Sequence, residues 1–386
     1  MPVTLLVGTT KGLFLISSDP QQDAWRVRGP VCDGWRINHA LGAPETGRIW
    51  AVGGDDWTGA GVWSGSSDGA WELTQLAHGQ RERFARTDPE TAAALGVTPS
   101  PDAPYDGEID ALWSIAGTPE RLLVGTKPAQ LYESRDGGVT WTRNTALADH
   151  ESRESWFPGA AGLTLHTILV LPGPPETLLL GISAAGVFAS EDGGASWERR
   201  NRLSNAGAAS ERPHPAAGRD GEIGHCVHNM VQAGGVGDRV YMQNHHGVFA
   251  SLDAGRSWED ITRGLPSTFG FPVASLPGAP ETVFTLPLNG DSAGRYPPDA
   301  AAAVWRSEDG GKTWRDCRTG LPQVACHFTV LRQAMATDRA ETPGLYFGTN
   351  TGSVFASHDA GESWDEIARH LPTVLSIETL TRPASV

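Results

Sequence analysis

The sequence predicts an all-β chain folded as a seven-bladed β-propeller, and three observations predict it. One octapeptide recurs five times in the 386 residues, two degenerate copies precede it, and a strand-like segment after the last copy has no local partner. These meet three structural needs: a turn in each blade, enough blades for a ring, and a strand to close it.

The octapeptides are SRDGGVTW (134–141), SEDGGASW (190–197), SLDAGRSW (251–258), SEDGGKTW (307–314) and SHDAGESW (357–364). All fit S-x-D-x-G-x-S/T-W, and their starts lie 56, 61, 56 and 50 residues apart, room for one four-stranded sheet per repeat. The template is that of a tight turn. The Asp carboxylate accepts backbone N–H groups, Gly supplies a positive φ, the hydroxyl bonds locally and the Trp packs the turn onto its sheet. Short apolar strands such as GVFAS (186–190) lead into the copies, so each turn joins the third strand of a blade to the fourth. The repeated aspartates are therefore read as structural.

GLFLISSDPQQDAW (12–25) and GVWSGSSDGAW (61–71) keep the strand, the Ser-Asp pair and the closing Trp, which brings the units to seven. LLVGTTKGLFLIS (5–17) opens the chain with what reads as a second strand, and TVLSIETL (373–380) follows the last turn as an orphan. We expect 373–380 to be the innermost strand of the first blade, a closure that pairs otherwise exposed edges. The single domain, 1–386, then divides into blades at 373–380 plus 3–28, 35–74, 108–144, 163–200, 223–262, 271–317 and 325–368.

On these octapeptides the chain resembles the BNR/Asp-box repeat family, found in bacterial neuraminidases, sortilin-type receptors and photosystem II assembly factors. The resemblance covers nearly the whole chain and implies the propeller fold. Its functions range over glycosidases, receptors and assembly factors, so function has to be argued from a site. Neuraminidases carry an arginine triad, a Tyr–Glu pair and an early Arg-Ile-Pro motif. The nearest string here, RINHALGAPE (36–45), lacks the Pro, and no tyrosine is placed as a nucleophile. The chain therefore departs from a true sialidase.

Lys and Arg number 30 against 45 Asp and Glu, a formal charge of −15 that repels a phosphate backbone, so no nucleic-acid partner is expected. No apolar run approaches the roughly 20 residues of a membrane-spanning helix, so no membrane partner is expected. The first residues read as a hairpin rather than a signal peptide, because a Gly-Thr-Thr-Lys-Gly turn interrupts the apolar run. Cys32, Cys226, Cys317 and Cys326 form no Cys-x-x-Cys pair and suit reduced thiols in a cytoplasmic protein.

Ligand chemistry is expected on the face opposite the octapeptide turns and at the channel mouth there. Long insertions at 74–108, 143–163, 199–224 and 286–302 enter that face as candidate lids. Histidines are the main signal. Predicted innermost strands carry His39, His166, His225, His228 and His327, with His245 and His246 on a loop of the same face. His39 and His166 lie 3 and 7 residues before their strand-ending turns, an even difference that puts both on one side. His39, His166, His228 and His327 are thus candidate ligands for a divalent transition metal, whose identity imidazoles leave open among Zn, Mn, Fe and Cu.

The repeated Asp-Gly-Glu-Ile at 106–109 and 220–223 supplies Glu108 and Glu222 as a candidate acid–base pair across the mouth, with Asp106 and Asp220 read as turn residues. Trp57, Lys127, His245, His246, Arg295 and Tyr296 are candidate substrate contacts, the aromatics suiting a sugar face and Arg a carboxylate. Two functions follow. One is a metal-assisted hydrolase or lyase, glycosidase-like, acting on a small polar or carbohydrate-like ligand at the mouth. The other is a non-catalytic binding or assembly propeller.

Overall fold

The computed structural model describes residues 3–19, 24–159, 162–205 and 221–381. Its strands form seven four-stranded antiparallel sheets, the blades of one propeller. Six blades run outward in chain order. The first is composite, ordered Val374–Thr381, Val3–Thr9, Gly12–Ser18, Trp25–Val31 from the axis outward. The closing strand pairs antiparallel with Val3–Thr9 from Val3↔Thr381 to Thr9↔Val374, so the ring closes as the sequence predicts.

Hydrophobic cores lie between neighbouring blades rather than within them. Trp50 and Val52 of the second blade pack with Leu112 and Val124 of the third, and Leu179 of the fourth with Val227 and Met242 of the fifth. This follows from sheet geometry, since alternate side chains leave opposite faces and each face meets the next blade.

The five octapeptide turns share one hydrogen-bond pattern. In the first, Ser134 Oγ donates to Asp136 Oδ1 at 2.8 Å and accepts from Gly138 N at 2.9 Å, while Thr140 Oγ1 donates to Asp136 Oδ2 at 2.6 Å. The same bonds recur at Ser190–Asp192, Ser251–Asp253, Ser307–Asp309 and Ser357–Asp359. These bonds, led by that from Thr140 Oγ1, hold the Asp136 carboxyl down to about 2. Gly138 sits at φ +98°, and the position before the glycine is left-handed too, at Gly137 but also at Ala254 and Ala360. The tryptophans do more than pin their own sheet. The indole N–H of Trp258 donates to Arg200 O at 2.9 Å, and that of Trp314 to Ile261 O at 2.8 Å, each in the preceding blade.

Turns between first and second strands share this face, as Trp50 Nε1 donating to Gly137 O at 2.9 Å shows. The opposite face, here the upper one, carries the second-to-third-strand loops. Residues 74–108, a candidate lid outside the repeat pattern, contain helices Gln80–Thr87 and Pro89–Ala94. The signal was present in TDPET: Asp88 caps the second helix by accepting from Thr91 N at 3.1 Å, with Pro89 at the first helical position. Of the insertion at 199–224, residues 206–220 lie outside the described residues, and Asp220 with them. No helix among the described residues is long and apolar enough to cross a membrane.

Candidate active site at the propeller axis

The inner strands of six consecutive blades, the first to the sixth, carry a β-bulge. The registers step over Leu375, Asn38, Trp113, His166, His228 and the pair Phe271–Pro272. A bulge re-aims a side chain and recurs next to functional sites. Here the bulged residues make an axial ring: Trp113 meets His166 edge-on at 5.7 Å between centroids, and His228 lies 4.8 Å from Phe271. The bulge also corrects the even-spacing argument. Asn38, not His39, matches His166, and His39 matches Thr167, because an extra residue upsets counting by twos.

Hydrogen bonds cross the axis at mid-height. Gln333 of the seventh blade donates to His166 O, Asn229 Nδ2 to Arg332 O at 2.8 Å, and Thr167 Oγ1 to Asn229 Oδ1 at 2.9 Å. A cavity of about 330 Å³ lined by His39, His166, Gln333 and Glu378 lies on the axis. Another of about 340 Å³, at the upper mouth, is lined by Cys226, His228, His245, Arg295 and Arg332.

In the axial cavity His39 Nδ1 accepts the Ile115 N–H at 3.1 Å, and Nε2 stands 3.9 Å from Glu378 Oε2. Burial pulls His39 down to about 4 and pushes Glu378 up to about 7. About a third of the Glu378 side chain is accessible, at the wall of this cavity. His166 is fully buried, and neither ring nitrogen has a hydrogen-bond partner among the described residues. Burial, then the charge of Arg332, holds its pKa far below the usual histidine range, so it is neutral. A buried unpaired polar group costs about 1–3 kcal/mol, so His166→Leu should stabilise the fold by roughly 1–2 kcal/mol in urea unfolding. Destabilisation instead would mean that the imidazole is satisfied.

The upper mouth is built differently. His228 Nδ1 donates to Gly270 O at 2.6 Å, which leaves Nε2 as the lone-pair nitrogen. His245 Nε2 lies 3.2 Å from Asp291 Oδ2, an anchor that turns Nδ1 into an acceptor. Cys226, His228 and His245 each offer a ligand atom, and these atoms lie within 4.8 Å of one another. Burial, reinforced by Arg332, keeps His228 neutral, the state a ligand requires.

The expected four-histidine metal set is not brought together. His39 and His166 line the axial cavity, and His228 lines the mouth. His327 is not on an innermost strand. That strand is Met335–Thr337, and His327 is exposed, stacked edge-on with Tyr296 at 4.8 Å. The backbone around it bonds to loops instead of a ladder: Cys326 N donates to Ala300 O at 2.9 Å and Thr329 N to Asn350 Oδ1 at 2.7 Å.

Glu108 and Glu222 also go to separate partners, Arg143 at 3.2 Å and His225 at 2.9 Å, and neither lines the two cavities. Asp106 does hold structure, bonding His78 through N at 2.6 Å and Nδ1 at 2.8 Å. Trp57 is exposed beyond an Asp55-capped turn, and Lys127 is half-buried at the end of its strand. His246 stacks on His245 at 4.9 Å. Arg295 lines the mouth. Cys226, Asp291 and Arg332 were not singled out from the sequence. The Cys-x-His spacing of 226 and 228 could have flagged the first, whereas nothing local marks the other two.

No family model matches the chain. It is 26% identical over 225 residues to an oligoxyloglucan-reducing end-specific xyloglucanase of Emericella nidulans, covering 51% of this chain and 25% of that protein. A probable enzyme of the same name from Neosartorya fischeri is 25% identical over 220 residues, with the same coverage. The chain thus spans about a quarter of the length of these curated relatives. Among solved structures, the GH74 xyloglucanase from Xanthomonas campestris superposes with a TM-score of 0.61 at 17% identity, covering 95% of this chain and 52% of that one. A putative 6-phosphogluconolactonase from Bacteroides fragilis gives 0.54 at 10% identity, covering 98% of both. What these structures share with the chain is the β-propeller fold.

Proposed function

We propose that the chain is a carbohydrate-active propeller, a metal-assisted hydrolase or lyase whose reaction takes place at the upper mouth. One observation carries the reading: three soft or borderline ligand atoms converge there, with the far nitrogen of each imidazole already anchored. Cys226 Sγ, His228 Nε2 and His245 Nδ1 would hold the ion, a donor set that suits zinc and leaves a coordination position for a ligand. When bound, such an ion supplies Lewis acidity to a carbohydrate oxygen. Asp291 orients His245, and Phe269 beside His228 and His245 excludes water from the far side. The xyloglucanase relatives support a carbohydrate as the ligand, and the mouth cavity is of monosaccharide-to-disaccharide size.

Zinc titrated into chelator-treated protein should bind at one equivalent, and Cys226→Ser or His228→Ala should each remove that binding. Release of reducing ends from an oligosaccharide panel should fall with it. Wild-type protein that takes up no zinc, or activity indifferent to both substitutions, would sink the reading.

A further inference from the structure

Two arginines at the upper mouth have no carboxylate partner among the described residues. Arg332 precedes the innermost strand of the seventh blade and lines the cavity with its guanidinium 4.8 Å over the Phe271 ring. Its side chain makes no ion pair or hydrogen bond among the described residues, and its Nε is buried without a partner. Arg295 stands 5.9 Å over the same ring. Its Nε donates to the Asp291 carbonyl at 3.1 Å, and it too has no carboxylate partner among the described residues. Asp291 is the sole carboxylate lining the cavity among those residues, and it is turned toward His245.

An enclosed guanidinium without a counter-charge is expensive for a fold, and cores rarely keep one. Burial pulls Arg332 down, to about 10, with the nearby Cys226 opposing the fall and repulsion from Arg295 adding to it.

We propose that Arg332, with Arg295, is a recognition site for a carboxylate on the ligand, which makes the substrate class an acidic, uronate-type sugar. The inference rests on the reading of the mouth as a carbohydrate site. The Arg332 guanidinium, 4.8 Å over the Phe271 ring and without a polar partner among the described residues, has N–H donors of the kind a planar carboxylate accepts in bidentate fashion. The bound carboxylate also sits where it offsets repulsion between Arg332 and an ion on Cys226, His228 and His245.

The test titrates D-galacturonate, its methyl ester and D-galactose into wild type, Arg332→Met and Arg332→Lys, with and without zinc, by calorimetry. Simple carboxylates and inorganic phosphate are run in parallel by thermal shift. Galacturonate should bind about 10- to 100-fold more tightly than its ester or galactose, the range of a charge-assisted hydrogen bond. Arg332→Met should erase that preference, and Arg332→Lys should restore part of it. Equal binding of acid and ester overturns the carboxylate site and leaves the mouth a neutral-sugar site. Simple carboxylates that stabilise wild type through Arg332 while no sugar binds uphold the anion site and overturn the carbohydrate reading. Phosphate favoured over every carboxylate, or no Arg332-dependent binding at all, overturns the proposal.

Discussion

Deletion of residues 374–386 is expected to leave a chain that does not fold cooperatively. The lost strand is the innermost of the first blade, and Val374, Leu375, Ile377 and Leu380 on it are all buried. It ties three blades together. It pairs with Val3–Thr9, takes a bridge from Gln333 to Ser376 on one side, and sets Leu380 against Gly42 on the other. Fully burying one such side chain is worth about 1.5–3 kcal/mol, so four of them amount to roughly 6–12 kcal/mol. That is comparable to the roughly 5–15 kcal/mol by which a domain is usually stable. The deletion also exposes Val3–Thr9 as a long, apolar edge, so aggregation should accompany unfolding. Calorimetry should show no cooperative transition, and a synthetic peptide of residues 373–381 added in excess should restore one. A truncated chain melting at the wild-type temperature would show that ring closure is not what holds the fold.

The architecture was legible because its signals are local and repeated. Each octapeptide encodes its own turn, and the orphan 373–380 could go nowhere but the open edge. The site was only half legible, for a physical reason. His166 and His228 were found because histidines stand out in apolar strands. Their height and direction depend on bulges at 166 and 228, and a bulge is a matter of register between strands that no spacing within one strand reveals. His327 shows the converse. Cys326, Phe328 and Val330 alternate buried positions as a strand should, yet the backbone there pairs with Ala300 and Asn350, and the ladder begins later. Arg332 could not be singled out at all, because its distinguishing property is the lack of a carboxylate partner among the described residues of the blades around it.

Trp258→Ala should cost about 3–5 kcal/mol, the range for emptying a large buried aromatic site. Trp258 closes the third octapeptide and is 0% exposed. It is held from several directions: its backbone N donates to Arg202 O at 2.9 Å, its indole to Arg200 O at 2.9 Å, and its carbonyl accepts from Ser204 Oγ at 2.9 Å. Arg200 and Arg202 follow the outermost strand of the preceding blade, so the side chain works as an interblade rivet more than as a lid on its own turn. Trp258→Phe separates the two contributions. It keeps most of the burial but strands the Arg200 carbonyl, and should cost about 1–2 kcal/mol. Trp314→Ala should cost less than Trp258→Ala, because Trp314 is only half-buried although it makes the same kind of bond, at 2.8 Å. Urea unfolding of the variants gives the ranking directly. If Trp258→Ala and Trp314→Ala proved equally mild, the tryptophans would be stabilising only their local turns. Since these turns lie on the face opposite the upper mouth, zinc uptake by folded Trp314→Ala should match wild type, which ties the cost to packing between blades and not to the site.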